Sequence, residues 1–127
     1  MGQKIRTTIP SQDGRPLSSS SPTTLRIVLT TLGDTDARAL ARTLVEERLA
    51  ACVNIHGPMV SFYRWKGIVE RDAERQVVIK TTRENLTALR ARLSELHSYE
   101  LPEFLVLTVE DGSDEYLKWV VEQTRPS

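Results

Sequence analysis

The spacing of hydrophobic residues from position 25 onwards changes repeatedly between strand-like and helix-like. The run 25–31 is short, rich in branched side chains and mostly apolar, which is typical of a buried strand. Beyond Gly33, apolar residues recur every three to four positions and predict a first helix with one apolar face. A two-residue alternation that starts at residue 51 predicts a second strand, which bends at Gly57-Pro58 and continues to residue 63.

A return strand and a second helix follow. Lys66-Gly67 is a turn signal, and residues 70–82 predict a third strand that pairs antiparallel with the second in a long hairpin. A capping box from Thr81 to Glu84 predicts the start of the second helix. Its apolar face repeats at helical spacing and consists of Leu86, Leu89, Leu93 and Leu96.

The last segments complete a recognisable order of elements. Residues 104–109 predict a fourth strand, and apolar residues at helical spacing between Tyr116 and Val121 predict a short third helix. The order strand, helix, strand, strand, helix, strand predicts an α+β fold, the ferredoxin-like βαββαβ sandwich, with an additional C-terminal helix.

Composition divides the chain into a tail and one domain. Residues 1–24 contain three prolines and a serine run at 18–21, which predicts a Ser/Pro-rich N-terminal tail. Residues 25–127 form the predicted domain. With 127 residues, 39% of them hydrophobic and 27% charged, the chain has the composition of an ordinary globular protein.

Charge, hydropathy and cysteine content exclude several classes of partner. The 17 basic and 17 acidic residues cancel, which argues against a nucleic-acid-binding or anionic-membrane-binding protein. Apolar runs stay far below the roughly 20 residues of a membrane helix. The single cysteine, Cys52, cannot form an internal disulfide, so we expect a reducing, cytoplasmic location.

The long hairpin predicts self-association. Two predicted helices cover one face of a four-stranded sheet, and the other face and the hairpin carry Tyr63, Trp65 and Ile68. A monomer rarely leaves so much apolar strand surface in water. We therefore expect a homo-oligomer whose neighbouring hairpins, including Phe62, cover this surface and pair the exposed edges.

The candidate metal ligands are dispersed in the sequence. They are Cys52, His56 and His97, with Glu100 and Glu103 as nearby acids. Thiolate and imidazole select copper or zinc over calcium and magnesium. Alternation predicts Ala51, Val53 and Ile55 on the side of the helices and Cys52 on the opposite face, toward a subunit interface. The alternatives are a buried structural role for Cys52 and, for His97, a role in satisfying the carbonyls at a helix end.

Catalysis by the cysteine is not expected. A nucleophilic thiolate needs a neighbouring imidazole or another cation and an oxyanion hole, and the strand position of Cys52 supplies none of these locally. The sequence therefore predicts a protein that is not an enzyme.

Five segments together resemble the CutA family of divalent-cation tolerance proteins. They occur in the same order over residues 25–125 and read LAACVN at 49–54, YRWKG at 63–67, IKTT at 79–82, HSYELPE at 97–103 and YLKW at 116–119. The resemblance implies a ferredoxin-like fold assembled as a tight trimer. It also implies clefts between subunits, similar in layout to those of the PII-like signalling proteins.

The resemblance leaves two functional classes open. The first is a trimeric protein that binds copper or another divalent cation, with Cys52, His97 and Glu103 as ligands at the intersubunit cleft. The alternative is a PII-like sensor or scaffold, in which Trp65, Lys80, Tyr99 and Glu103 line the cleft for a small organic molecule or a protein partner. No organic cofactor is predicted in either case.

Overall fold

The computed structural model describes residues 21–126 and contains the predicted order of strands and helices. The strands are β1 (Leu25–Leu32), β2 (Cys52–Trp65), β3 (Ile68–Thr82) and β4 (Leu105–Thr108). The α-helices are α1 (Asp34–Glu46), α2 (Leu86–Leu96) and α3 (Asp114–Gln123), and a single 3₁₀ turn, Arg83–Asn85, precedes α2. No helix in this part of the chain is long and apolar enough to cross a bilayer.

The four strands form one antiparallel sheet in the order β2-β3-β1-β4. β1 lies in the centre, paired with β3 on one side and β4 on the other, and β2 and β3 form a hairpin of 14 and 15 residues. This strand order confirms the predicted ferredoxin-like α+β fold with an additional C-terminal helix.

The two faces of the sheet carry different helices. Helices α1 and α2 cover one face, the α1–α2 face, where the main core contains Val28, Leu44, Ile79 and Leu89, all fully buried. Helix α3 packs on the opposite face, the α3 face, through Val120. The C-terminal helix therefore covers one end of the face that the sequence left bare.

The predicted orientation of the second strand is confirmed for two of its three inward residues. Val53 and Ile55 pack against the core beneath α1 and α2. Ala51 instead packs with Leu25 and Val120 on the α3 face. Because β2 begins only at Cys52, the two-residue alternation does not extend back to Ala51.

A β-bulge in β2 sets which hairpin residues share a face. The register against β3 shifts between His56 and Met59, where β2 has one residue more than its partner. An extra residue reverses the alternation, so odd-numbered residues beyond the bulge lie on the same face as even-numbered residues before it. The α3 face of β2 therefore carries Cys52, Asn54 and His56 and, beyond the bulge, Met59, Ser61, Tyr63 and Trp65.

The predicted capping box is wrong. Helix α2 begins after the 3₁₀ turn, and neither element has a side-chain hydrogen bond at its N-cap. The Thr81 hydroxyl is fully buried and donates to the Leu49 carbonyl at 2.7 Å, so it joins β3 to the segment between α1 and β2. Glu84 accepts a hydrogen bond from the hydroxyl of Thr24 instead.

The predicted N-terminal tail falls mostly outside the described residues, since residues 1–20 are not among them. Its last residues contact the domain. The Thr23 amide donates to the Val109 carbonyl at 3.1 Å, and the Thr24 carbonyl accepts from the Arg83 amide at 2.8 Å. The chain is thus tied to the sheet just before β1 begins.

Candidate functional site

A cleft of about 610 Å³ lies on the α3 face, at the end of the sheet away from α3. Its walls are the outer half of the hairpin, the end of β1 and the loop between α2 and β4. The lining residues are Thr31, Ser61, Tyr63, Trp65, Asp72, Glu74 and the loop residues Tyr99, Glu100, Leu101, Pro102 and Glu103. A volume of this size suits a small molecule.

Strand β3 separates its charges between the two faces of the sheet. Residues 70–76 read ERDAERQ, so alternation places Asp72 and Glu74 on the cleft side and Arg71 and Arg75 on the other. Arg75 accordingly pairs with Asp34 at the start of α1, with 3.3 Å between Nε and Oδ1. The cleft wall built by β3 is therefore acidic.

Two tyrosines orient these carboxylates. The Tyr99 hydroxyl donates to Oε2 of Glu74 at 2.6 Å, and the Tyr63 hydroxyl donates to Asp72. The hydrogen bond to Asp72, together with burial, raises the pKa of Tyr63 to about 12. Burial, followed by the bond to Glu74, raises the pKa of Tyr99 well above its usual value. Both phenols are therefore neutral donors at physiological pH.

Glu103 is fixed by an amide on the sheet. Nε2 of Gln76 donates to the Thr30 carbonyl at 2.8 Å and to Oε2 of Glu103 at 3.1 Å. Gln76 is the next cleft-side residue of β3 after Glu74. The loop carboxylate is thus held against the acidic wall, where it faces the cleft.

His97 anchors the loop that carries Tyr99. Its Nδ1 accepts from the Tyr99 amide at 3.1 Å, so the proton lies on Nε2, which donates to the Thr31 carbonyl at 3.0 Å. Burial lowers the pKa of His97, which is 8% exposed, and keeps the ring neutral. The imidazole also meets the Tyr99 ring edge-on, with 4.8 Å between centroids. Both ring nitrogens are engaged within the chain.

A lysine of the hairpin tip lies at the rim of the cleft. Nζ of Lys66 is 5.6 Å from the centroid of the Trp65 ring and 3.9 Å from Oε2 of Glu100. An ammonium group at these distances has a cation–π contact and an ion pair, each weak because Lys66 and Glu100 are exposed.

The structure brings together three of the four residues predicted to bind an organic ligand. Trp65, Tyr99 and Glu103 line the cleft. Lys80 lies on the same face but at the opposite end, where its Nζ is 6.0 Å from the centroid of the Tyr116 ring in α3. Lys80 therefore shares the face of the cleft but not its position along the strand.

The predicted metal ligands are separated within one chain. Cys52 is opposite Lys80, which is opposite Ile27 of β1, and His97 contacts Thr31 four residues farther along. That offset alone is about 13 Å at 3.3 Å per residue. Glu103 lies at the His97 end of the sheet. Among residues 21–126, no three His, Cys, Asp or Glu side chains are close enough to hold one metal ion.

The sequence motifs do not identify several residues at the cleft. Asp72, Glu74 and Gln76 escape it because their segment appears only as a strand of a hairpin. The signal that finds them is the alternation of acidic and basic residues in ERDAERQ. In a strand this alternation places the acidic side chains on one face and the basic side chains on the other. The acidic face of β3 lines the cleft.

Comparisons with known proteins agree with this fold. The family model described as CutA1 divalent ion tolerance protein matches residues 26–123. The chain is 43% identical to the divalent-cation tolerance protein CutA of Thermus thermophilus over 98 residues. This alignment covers 77% of this chain and 95% of that protein. The chain is 45% identical over 87 residues to the Protein CutA homolog of Xenopus laevis, covering 68% of this chain and 58% of the relative.

A solved structure extends the likeness from sequence to fold. The crystal structure of CutA from Xylella fastidiosa superposes with a TM-score of 0.79 at 38% identity and covers 81% of this chain and 100% of that one. The family model and the Thermus relative are named for divalent-ion tolerance rather than for an enzyme activity. A family match that spans nearly the whole described fold, with relatives of this identity, shows that the chain belongs to the CutA1 divalent ion tolerance family.

Proposed function

We propose that this member of the divalent-cation tolerance family is a homotrimeric binding protein that holds a small ligand in the cleft between β1, the hairpin and the loop after α2. The observation that carries the proposal is the convergence of Trp65, Tyr99 and Glu103 on one cleft with oriented carboxylates. Trp65 comes from the hairpin and the other two residues from the loop after α2, so their meeting is a property of the fold.

The polar groups of the cleft are held in place before any ligand arrives. Tyr99 holds Glu74, and Gln76 holds Glu103. His97 holds the loop through both ring nitrogens. Because these groups are already ordered, little conformational entropy is lost when a ligand binds, which favours affinity.

Exposed apolar side chains favour assembly into a trimer. Phe62 and Ile68 in the hairpin are 69% and 63% exposed, and Leu105 in β4 is 53% exposed. The outer strands of the described sheet are β2 and β4, which offer backbone edges to other chains. In the proposed trimer the hairpin of one subunit covers the neighbour's sheet, and the cleft lies beside the contact between them.

The surroundings of Cys52 favour a binding role over catalysis by its thiol. The thiol of Cys52 lies 3.9 Å from Oδ1 of Asn54, while the imidazole of His97 is bonded to Thr31 and Tyr99 at the other end of the sheet. A cysteine nucleophile requires a base within hydrogen-bond reach. We therefore propose that the chain acts by binding and not by catalysis.

A thermal-shift screen of metals and metabolites on the purified full-length protein tests the cleft, because a ligand bound only by the folded state raises its melting temperature. We expect at least one compound whose stabilisation is lost in Trp65→Ala and Glu103→Gln and kept in Cys52→Ser. Stabilisation lost in Cys52→Ser and kept in both cleft variants would contradict the proposal.

Copper binding is a second candidate function. The observation that favours it is the position of the free thiol of Cys52, which is partly exposed on the α3 face, where the proposed trimer brings a neighbour. Soft thiolate ligands suit copper. Since Cys52 and His97 lie far apart in one chain, a site made of Cys52, His97 and Glu103 has to draw its ligands from two subunits.

A further inference from the structure

The cleft offers carboxylate acceptors, and the two phenols and the amide beside them already use their protons within the chain. The hydroxyl protons of Tyr63 and Tyr99 go to Asp72 and Glu74. The amide of Gln76 donates to Thr30 and Glu103. Each carboxylate retains lone pairs beyond these bonds, and a phenol oxygen that donates its proton can still accept. A ligand that binds these carboxylates must therefore supply the donors.

The charge of the cleft has one sign. Its described lining contains Asp72, Glu74, Glu100 and Glu103 and includes no Lys or Arg. The hairpin's nearest arginines, Arg71 and Arg75, are on the α1–α2 face by alternation. His97, behind the loop, is neutral and contributes no positive charge. An anionic ligand would meet repulsion throughout the cleft.

The chain itself places a cation at the rim. Lys66 Nζ contacts both the Trp65 ring and the Glu100 carboxylate, 5.6 Å from the ring centroid and 3.9 Å from Oε2. This contact is separate from the carboxylates of the inner wall, and it is the arrangement by which an aromatic ring and an acid together bind an ammonium group. It identifies Trp65 as an aromatic surface that accepts positive charge.

The spread of the carboxylates favours an extended cation over a metal ion. No three His, Cys, Asp or Glu side chains in residues 21–126 approach closely enough to ligate one metal. The cleft nevertheless measures about 610 Å³ and combines its acids with Tyr63, Trp65 and Leu101. Ligand sites of this kind bind an apolar body and orient it through a few polar groups.

We propose that the cleft selects an organic cation, an ammonium or guanidinium group attached to an apolar or aromatic body. The charged group donates to the carboxylates of Asp72 and Glu74, and the body packs between Trp65 and the loop. This inference rests on the proposed function, since it assigns a ligand class to the same cleft.

Three probes of nearly equal size and different charge test the selection. They are 2-phenylethylamine, which is cationic, 2-phenylethanol, which is neutral, and phenylacetate, which is anionic. Calorimetric titration of the full-length protein should give saturable binding of the amine. The alcohol should bind at least about tenfold more weakly, because hydrogen bonds to charged groups are the stronger ones, and the anion weaker still.

Variants locate the binding. Glu74→Gln keeps the shape of the side chain and an acceptor for Tyr99, so it should fold, and it should weaken amine binding roughly tenfold. Glu122→Gln removes the same charge from α3 at the far end of the sheet and serves as the matched control. Lys66→Met removes the competing ammonium and should tighten amine binding roughly two- to fivefold, whereas Lys66→Arg should not.

The outcomes separate this inference from the proposal on which it rests. If the alcohol or phenylacetate binds as tightly as the amine, or if no probe binds, the cation inference is wrong. A compound from the thermal-shift screen that still depends on Trp65 and Glu103 would then leave the cleft as the ligand site. A different result is that magnesium or manganese chloride displaces the amine from the wild-type protein but not from Glu74→Gln. In that case the cleft is a metal site and the organic-cation assignment is also wrong.

Discussion

The hydroxyl of Tyr99 donates a 2.6 Å hydrogen bond to Oε2 of Glu74, a residue that is 8% exposed on the acidic wall of the cleft. This contact joins the loop after α2 to the middle of β3, two segments that the sequence separates by 25 residues. It fixes the position of the loop and the orientation of the carboxylate together.

Replacing Tyr99 by Phe should therefore destabilise the fold. The variant leaves a buried charged acceptor without its donor, which typically costs about 1–3 kcal/mol. Urea unfolding at fixed protein concentration measures the loss. Tyr63→Phe is the matched control, because its partner Asp72 is less buried and more readily hydrated, and it should lose less. An equal loss in both variants would contradict a special role for the Tyr99–Glu74 pair.

The raised tyrosine pKa values predict a loss of stability at high pH. A group whose pKa is higher in the folded state stabilises the fold below its unfolded pKa, here 10.0, and loses that contribution as pH rises through the folded value. For Tyr63 the loss should occur between pH 10.0 and about 12. A tyrosinate absorbance titration of wild type minus Tyr63→Phe isolates this residue. Ionisation of Tyr63 near its ordinary pKa would show that the bond to Asp72 is absent in solution.

The lowered pKa of His97 predicts a loss of stability at acidic pH. Its pKa is lowered by burial, so its contribution is fully present above the unfolded value of 6.5 and declines as pH falls from there to the folded pKa. Protonation of Nδ1 also breaks the bond from the Tyr99 amide. The melting temperature of wild type should fall more steeply below pH 6.5 than that of His97→Gln. Parallel curves would exclude His97 as the titrating group.

Hydrophobic spacing predicts the elements of this fold well, because each core-facing side chain is buried by the period of its own helix or strand. Leu89 and Leu93 in α2 and Val53 in β2 are examples. The capping box fails because the Thr81 hydroxyl has a tertiary partner, the Leu49 carbonyl, that local spacing does not reveal. A contact between distant segments cannot be predicted from the residue spacing within either segment.

The candidate site is only partly predictable for a similar reason. Trp65, Tyr99 and Glu103 come from the segments of the family resemblance and meet in the cleft, whereas Lys80 comes from another such segment and lies at the far end of the sheet. The bulge after His56 determines which hairpin side chains face the cleft. The sequence of β2 alone does not show where this extra residue lies, because a bulge is defined only by the pairing of two strands.

A copper titration tests the metal hypothesis at its named ligands. If Cys52, His97 and Glu103 form a site, Cys52→Ser and His97→Ala should each weaken copper binding about 10–100-fold or more. Folding should survive in Cys52→Ser, because the buried core does not include that side chain. His97→Ala also loosens the loop, so His97→Gln is the second variant at this position. Equal copper affinity in all of these proteins would eliminate the soft-ligand site.

The proposed trimer predicts both the mass in solution and its sensitivity to hairpin substitutions. Light scattering at micromolar concentration should report three chains of 14.4 kDa. Obligate interfaces usually bury more than about 2,000 Å², and the exposed apolar side chains of the hairpin are the surface best suited to that contact. Ile68→Glu places a charge among them and should shift the protein toward smaller species, whereas Val45→Glu, an equivalent change at an exposed apolar position of α1, should not. A wild-type monomer, or equal dissociation in the two variants, would contradict an interface formed by the hairpin.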